Sequence, residues 1–253
     1  MGPVEVSTPP DWGKNHRMVS CEEVNTLTPD SSFRLAIDAS VGGENITEVE
    51  KYLEQILLWA HQKFGPEPLV QAKEDFYEQT GKIFHDDSFF NERMSYFIDY
   101  FIFERILTTK DDSIEETPFE LYQKVEAEHM IQGVVHSLFS VYRLNDQFLT
   151  IRDIHSNERY KLPRSPHSNF DGINKKDLFQ GFVYDLGSHK TLSRGLIFHP
   201  TDAHTSIKKY LKLQQKKNQL DLRLALTRFA KQHLRHLRHS HVNPKLFYQQ
   251  DPR

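Results

Sequence analysis

A chain of 253 residues, 38% hydrophobic and 12% aromatic, can bury a substantial core and is not a disordered polymer. Its single cysteine, Cys21, excludes an internal disulfide framework and any cysteine-based zinc or iron–sulfur centre. The net charge of −3 hides two opposed halves: 26 acidic and 11 basic residues among 1–130 (net −15), against 9 and 21 among 131–253 (net +12).

Residues 1–43 hold Pro3, Pro9, Pro10, Gly13, Pro29, Gly42 and Gly43 without a sustained period, so they read as an irregular or flexible arm. A helical domain is expected over 44–136. Its first helix repeats Val49, Tyr52, Leu53, Ile56, Leu57, Ala60 and Phe64 at three and four residues. Thr47 and Glu50 form a capping box ahead of it, and Gly65-Pro66 stops it. A second helix runs through Leu69, Ala72, Phe76 and Tyr77 to Gly81. A third, capped by Asp86 or Asp87, carries Phe90, Met94, Phe97, Phe101 and Ile102, and its aromatic density makes it the central helix. Thr117-Pro118-Phe119-Glu120 combines an N-cap, a first-turn proline and a capping-box acid. Helix is expected from there to about His136, with a break near Ala127.

The period then changes to that of strands. Leu138–Leu144 and Gln147–Arg152 flank the turn pair Asn145-Asp146, and 158–162, 178–186 and 191–198 supply three more strands. Residues 137–200 are therefore expected to form a small five-stranded antiparallel sheet or partly open barrel, with Gly195 allowing close strand approach. The whole is an α+β protein.

Residues 201–253 form a basic amphipathic helical region and tail, read as one long helix returning onto the body. On a helical wheel Leu222, Leu226, Phe229, Ala230, His233 and Leu237 share one side. Arg228, Lys231, Arg235, Arg238 and His239 lie on the other. From His204 onward 12 Lys and Arg face only Asp221 and Asp251. Such a face rewards contact with nucleic-acid phosphates or an acidic protein surface, and aromatic groups for base reading are sparse. The charge split also allows self-association through the acidic and basic halves, or simple internal pairing.

Two histidine patterns invite a metal reading. His233, His236, His239 and His241 repeat along the basic segment, but on different faces and with no acid to complete a shell. His61 with His85-Asp86 is spaced like the ligands of a metal-dependent phosphohydrolase, although capping also explains Asp86. No nucleotide fingerprint or nucleophile elbow is present, so no cofactor is expected and an enzyme is the alternative, not the leading reading. No apolar run approaches the ~20 residues of a membrane span, and the Met1 end has no signal-peptide core, so the cytosol is the expected location.

Tyr96 to Arg105, Thr117 to Glu120, Ser137 to Val141 and Leu149 to Asp153 together resemble the helical region of bacterial SEC-C-related proteins of unknown function, over about residues 85–165. The Cys-rich SEC-C tail itself is absent here. The resemblance implies an uncharacterised bacterial protein and assigns no catalytic residue. The leading expectation is a non-enzymatic cytosolic binding or adaptor protein that works through the basic helix.

Overall fold

The computed structural model describes residues 47–108, 115–126, 129–164 and 172–249. The expected arm, Cys21 and the last four residues lie outside them. The described chain is α+β, with seven α-helices and a nearly closed antiparallel sheet.

Helix α1 (Glu48–Phe64) starts at the expected capping box. The Glu50 amide donates to the Thr47 hydroxyl, and the Thr47 amide donates back to the Glu50 carboxylate. It ends at Gly65, whose φ of 78° suits a residue without a Cβ. Helix α2 (Glu67–Thr80) follows directly. Helix α3 (Phe90–Phe103) is buried at every position from Arg93 to Ile102, which makes it the central helix. Neither expected aspartate caps it. Phe89 holds the N-cap position, while the Asp87 carboxylate accepts from the Phe84 amide and pairs with Arg238. A two-residue ladder, β1 (Leu107–Thr108) with β2 (Glu115–Glu116), leads to α4 (Pro118–Gln123) and its Thr117–Glu120 capping box.

The helix expected to reach His136 stops at Gln123, and β3 (Gly133–Leu144) already begins four residues before the expected boundary at 137. The β-branched pair Val134-Val135 has long-range partners, Tyr184 and Val183, which override local helix propensity. Strands β4 (Phe148–Asp153), β5 (Arg159–Pro163), β6 (Leu178–Asp185) and β7 (Lys190–Leu192) give the order β5-β4-β3-β6-β7, with β8 (Ile197–Phe198) also on β6. The edge strands β5 and β7 approach each other, so the sheet nearly closes. The β3–β4 turn is held by Asn145, whose side chain accepts from the Gln147 and Phe148 amides.

Alternation along β6 sorts the two sides. Phe179 and Val183 join Phe139, Ile151 and Leu162 inside the curled sheet. Phe182 and Tyr184 face α1–α3, and Leu178 faces the C-terminal helices. Both faces of this central strand are therefore covered. Gly195 also has a different role from the one expected. A Cβ there would overlap the backbone of Ser95 and Tyr96, so this glycine seats α3 on the sheet and does not serve strand–strand approach.

The C-terminal region is not one long helix. A short turn at Thr201–Ala203 leads to α5 (His204–Lys216), α6 (Leu222–Arg238) and α7 (Pro244–Tyr248). The break falls where Asn218 takes φ of 51° and Asp221 caps α6, its carboxylate accepting from the Leu224 amide. No helix among the described residues is long and apolar enough to cross a membrane.

Candidate functional site

Helix α6 docks through Ala225, Leu226, Phe229, Ala230 and Leu234, all buried. Its other side carries the expected cations. Lys231, Arg235, Arg238 and His239 are exposed, and Arg228 is half-buried with its guanidinium 5.0 Å from the Tyr210 ring. Arg238 is committed inward: it donates to the Lys82 carbonyl at 2.6 Å and meets Asp87 at 3.3 Å. Arg223, at the start of α6, lies 3.5 Å from Glu104. Lys231 reaches only the Glu78 carbonyl, at 3.4 Å. Arg228, Lys231 and Arg235 have no ion pair among the described residues, and neither have Lys208, Lys209, Lys212, Lys216 and Lys217 on and after α5. His239 lies against the Phe247 ring, not in the row of cations.

The inner side of α6 closes a buried polar chain. The Gln180 side-chain amide donates to the Leu226 carbonyl at 3.1 Å and to the Tyr96 hydroxyl at 2.8 Å. A carbonyl can only accept, so the Gln180 amide orientation is fixed and everything else follows. Tyr96 passes its own proton to His136 Nε2 at 2.7 Å, and His136 Nδ1–H donates to Glu104. On the other side Gln180 Oε1 accepts from His199 Nε2 at 3.2 Å, and His199 Nδ1 accepts from the Tyr248 hydroxyl at 3.0 Å. Burial holds His199 well below the ordinary imidazole range, with His233 and His204 adding to it. Next to this chain Arg93, 1% exposed, spans from the Ala230 carbonyl to the Thr80 carbonyl, 3.2 Å each. Together these bonds fasten α3, β6 and α6.

A separate cavity of about 270 Å³ opens where the first turns of α1 meet α3 and the β6–β7 end of the sheet. Asp99, 3% exposed, forms its floor. One carboxyl oxygen accepts from the Tyr184 hydroxyl at 2.5 Å, and Oδ2 has no hydrogen-bond partner of good geometry among the described residues. Burial pushes this carboxyl up to about 7, against the Tyr184 and Ser193 hydroxyls, which hold it down, and with Glu50 adding to the rise. Glu50 itself pairs with Arg194 on the wall. Leu53, Leu57, Ile98 and Leu192 make the apolar lining.

The metal readings find no geometry. No three of the His, Cys, Asp and Glu side chains come together to hold an ion among the described residues. His61 sits near the end of α1, whereas His85 and Asp86 are exposed in the α2–α3 turn, where His85 lies against Phe90. The four C-terminal histidines also separate: burial pushes His233 down to about 3, while His239 and His241 are exposed. Sequence periodicity located the cationic face but missed Asp99. The available signal was one acid within an otherwise apolar and aromatic stretch, Tyr96-Phe97-Ile98-Asp99-Tyr100-Phe101. No family model, curated protein or solved structure matches the chain, so the resemblance to SEC-C-related proteins gains no support there.

Proposed function

We propose that this protein is a cytosolic, non-enzymatic binding protein whose α5–α6 surface contacts the phosphate backbone of a nucleic acid. The observation that carries the reading is the array Lys208, Lys209, Lys212, Lys216, Arg228, Lys231 and Arg235. These cations occupy consecutive helices, and the only acid described from 204 to 249 is the capping Asp221. Such an array repels itself unless something negative neutralises it, and phosphates do so while releasing condensed counterions. Helix α6 has 17 residues, about 25 Å of rise, long enough to follow several phosphates. The neighbouring aromatics are engaged: Phe229 is buried, Tyr210 is covered by Arg228, and Phe247 stacks on His239. Backbone contact is therefore favoured over base reading.

The test replaces Arg228, Lys231 and Arg235 together with Glu and leaves Arg238, which holds the α2–α3 turn. Retention of a labelled single-stranded oligonucleotide and of a duplex is followed against salt. The wild type is expected to lose affinity linearly in log salt, and the variant to lose most of its binding. Each cation removed should flatten the slope by roughly 0.7 on single strands and roughly 0.9 on duplex. Equal retention by both proteins overturns the reading.

A second reading, an acidic protein partner, rests on Leu224 and Leu246. They are 64% and 62% exposed, and Leu224 sits on α6 among the cations. An apolar side chain adds nothing to phosphate contact but suits a protein interface. Leu224→Ser should leave oligonucleotide retention unchanged and would weaken only a protein partner.

A further inference from the structure

The cavity over Asp99 is distinct from the cationic surface and has its own chemistry. Two polar atoms at its base decide what can enter. Asp99 lines the void, and its Oδ2 is buried and lacks a hydrogen bond of good geometry among the described residues, which is costly unless something donates to it. Ser193, 2% exposed, presents its hydroxyl beside it, and that oxygen already accepts from the Phe182 amide at 3.4 Å.

The sign of the wall comes next. The first turn of a helix ordinarily favours an anion. Here that turn carries Glu48 and Glu50, and its capping box already satisfies the Thr47 and Glu50 amides. Arg194 is the cation on the wall, and it is paired with Glu50. Glu54 adds a further carboxylate at the side, and the exposed His189 lies at the rim. An anion entering this space would meet Asp99 and Glu54 with no uncommitted guanidinium to receive it. A cation would meet the reverse. At about 270 Å³ the void sits just below the range of drug-sized pockets, so its occupant is compact, and Leu53, Leu57, Ile98 and Leu192 ask for an apolar body.

We propose that this cavity binds a small organic ammonium ion, an amine on a compact apolar body, whose N–H group donates to Asp99 Oδ2. Burial raises the proton affinity of Asp99, and a cation beside it would lower that affinity.

Three probes of one shape and different charge test this on the full chain at pH 7.5: benzylamine, benzyl alcohol and benzoate, titrated by calorimetry. Benzylamine should bind the wild type about tenfold more tightly than benzyl alcohol, the margin of one charge-assisted hydrogen bond, and benzoate should bind least. Asp99→Asn keeps an acceptor for Tyr184 but removes the charge, and should bring the amine and the alcohol within about twofold of each other. Val49→Phe, which fills the cavity from its wall, should remove binding of all three. Thermal unfolding of each variant reports whether it is folded. The order of the three probes on the wild type is decisive without either variant. Tighter binding of benzoate, benzylamine binding that survives Val49→Phe, or no binding of benzylamine to the wild type would each overturn the proposal.

Discussion

Tyr96 and Asp99 lie one turn apart on α3, both buried, both polar, and the protein treats them in opposite ways. Tyr96 accepts from Gln180 and donates to His136, and the chain of partners runs on to Glu104 at one end and Tyr248 at the other. Every member has a role that only one proton arrangement satisfies, which is how a buried polar network fixes one packing of α3, β6 and α6. Asp99 accepts from the Tyr184 hydroxyl, has the Ser193 hydroxyl beside it and lines a cavity, and its Oδ2 lacks a hydrogen bond of good geometry among the described residues. A network that is complete reads as structure. A buried carboxyl left open on a cavity reads as a place for something else.

The comparison can be broken most severely at the glycine that sets the height of α3 above the sheet. Gly195→Ala places a Cβ against the backbone of Ser95 and Tyr96, where no side-chain rotation can relieve it. A loss of about 3 kcal/mol is expected in denaturant unfolding, and both the polar chain and the cavity should suffer together. An unchanged midpoint would mean that α3 does not sit as described.

A smaller effect sharpens the Tyr96 side alone. Gln180→Leu removes the bond that Tyr96 accepts and leaves the Leu226 carbonyl and His199 Nε2 without theirs. Stability should fall by about 1–3 kcal/mol, the cost of buried groups left unmade, while the amine-binding order in the cavity stays as in the wild type. Loss of both properties would show that the two clusters are one.

A pH-dependent effect sharpens the Asp99 side. Its folded value, about 7, lies above the ordinary 3.8, so the folded chain keeps a proton that the unfolded chain gives up between those limits. This contribution is fully present below about 4, declines as pH rises, and is gone above about 7. Asp99→Asn removes the dependence. Relative to its standing at pH 4, the variant should therefore gain steadily on the wild type as the pH rises to 8. His199 and His233, whose values are lowered by burial, make both proteins lose stability as pH falls below about 6.5, and that loss cancels in the difference. A gap that does not widen with pH would mean that Asp99 is hydrated in the folded state.

Local signals were sufficient for much of the architecture. The Thr47 and Thr117 capping boxes, the Gly65 stop and the Asn145 turn depend on side chains within three residues of the backbone they satisfy, and all four are readable from sequence. The aromatic crowding of α3 likewise announced its burial. The cationic side of α6 was legible because a helix that docks on one face sorts its residues by that face alone. Where a distant partner competes with local preference, the sequence spoke less clearly. Val134 and Val135 enter β3 because β6 pairs with them, and Asp87 is drawn to Arg238 and away from capping α3.

The amino-acid order by itself determined the helical type of α1, α2 and α3, the strand type of β4 to β6, the opposed charges of the two halves and which side of α6 is basic, since these follow from spacing along one chain. Only tertiary packing decided that Gly195 meets a helix, that Gln180 joins Tyr96 to His199, and that Asp99 lines a cavity. Those facts depend on contacts between residues scores of positions apart, and no local period encodes such a distance.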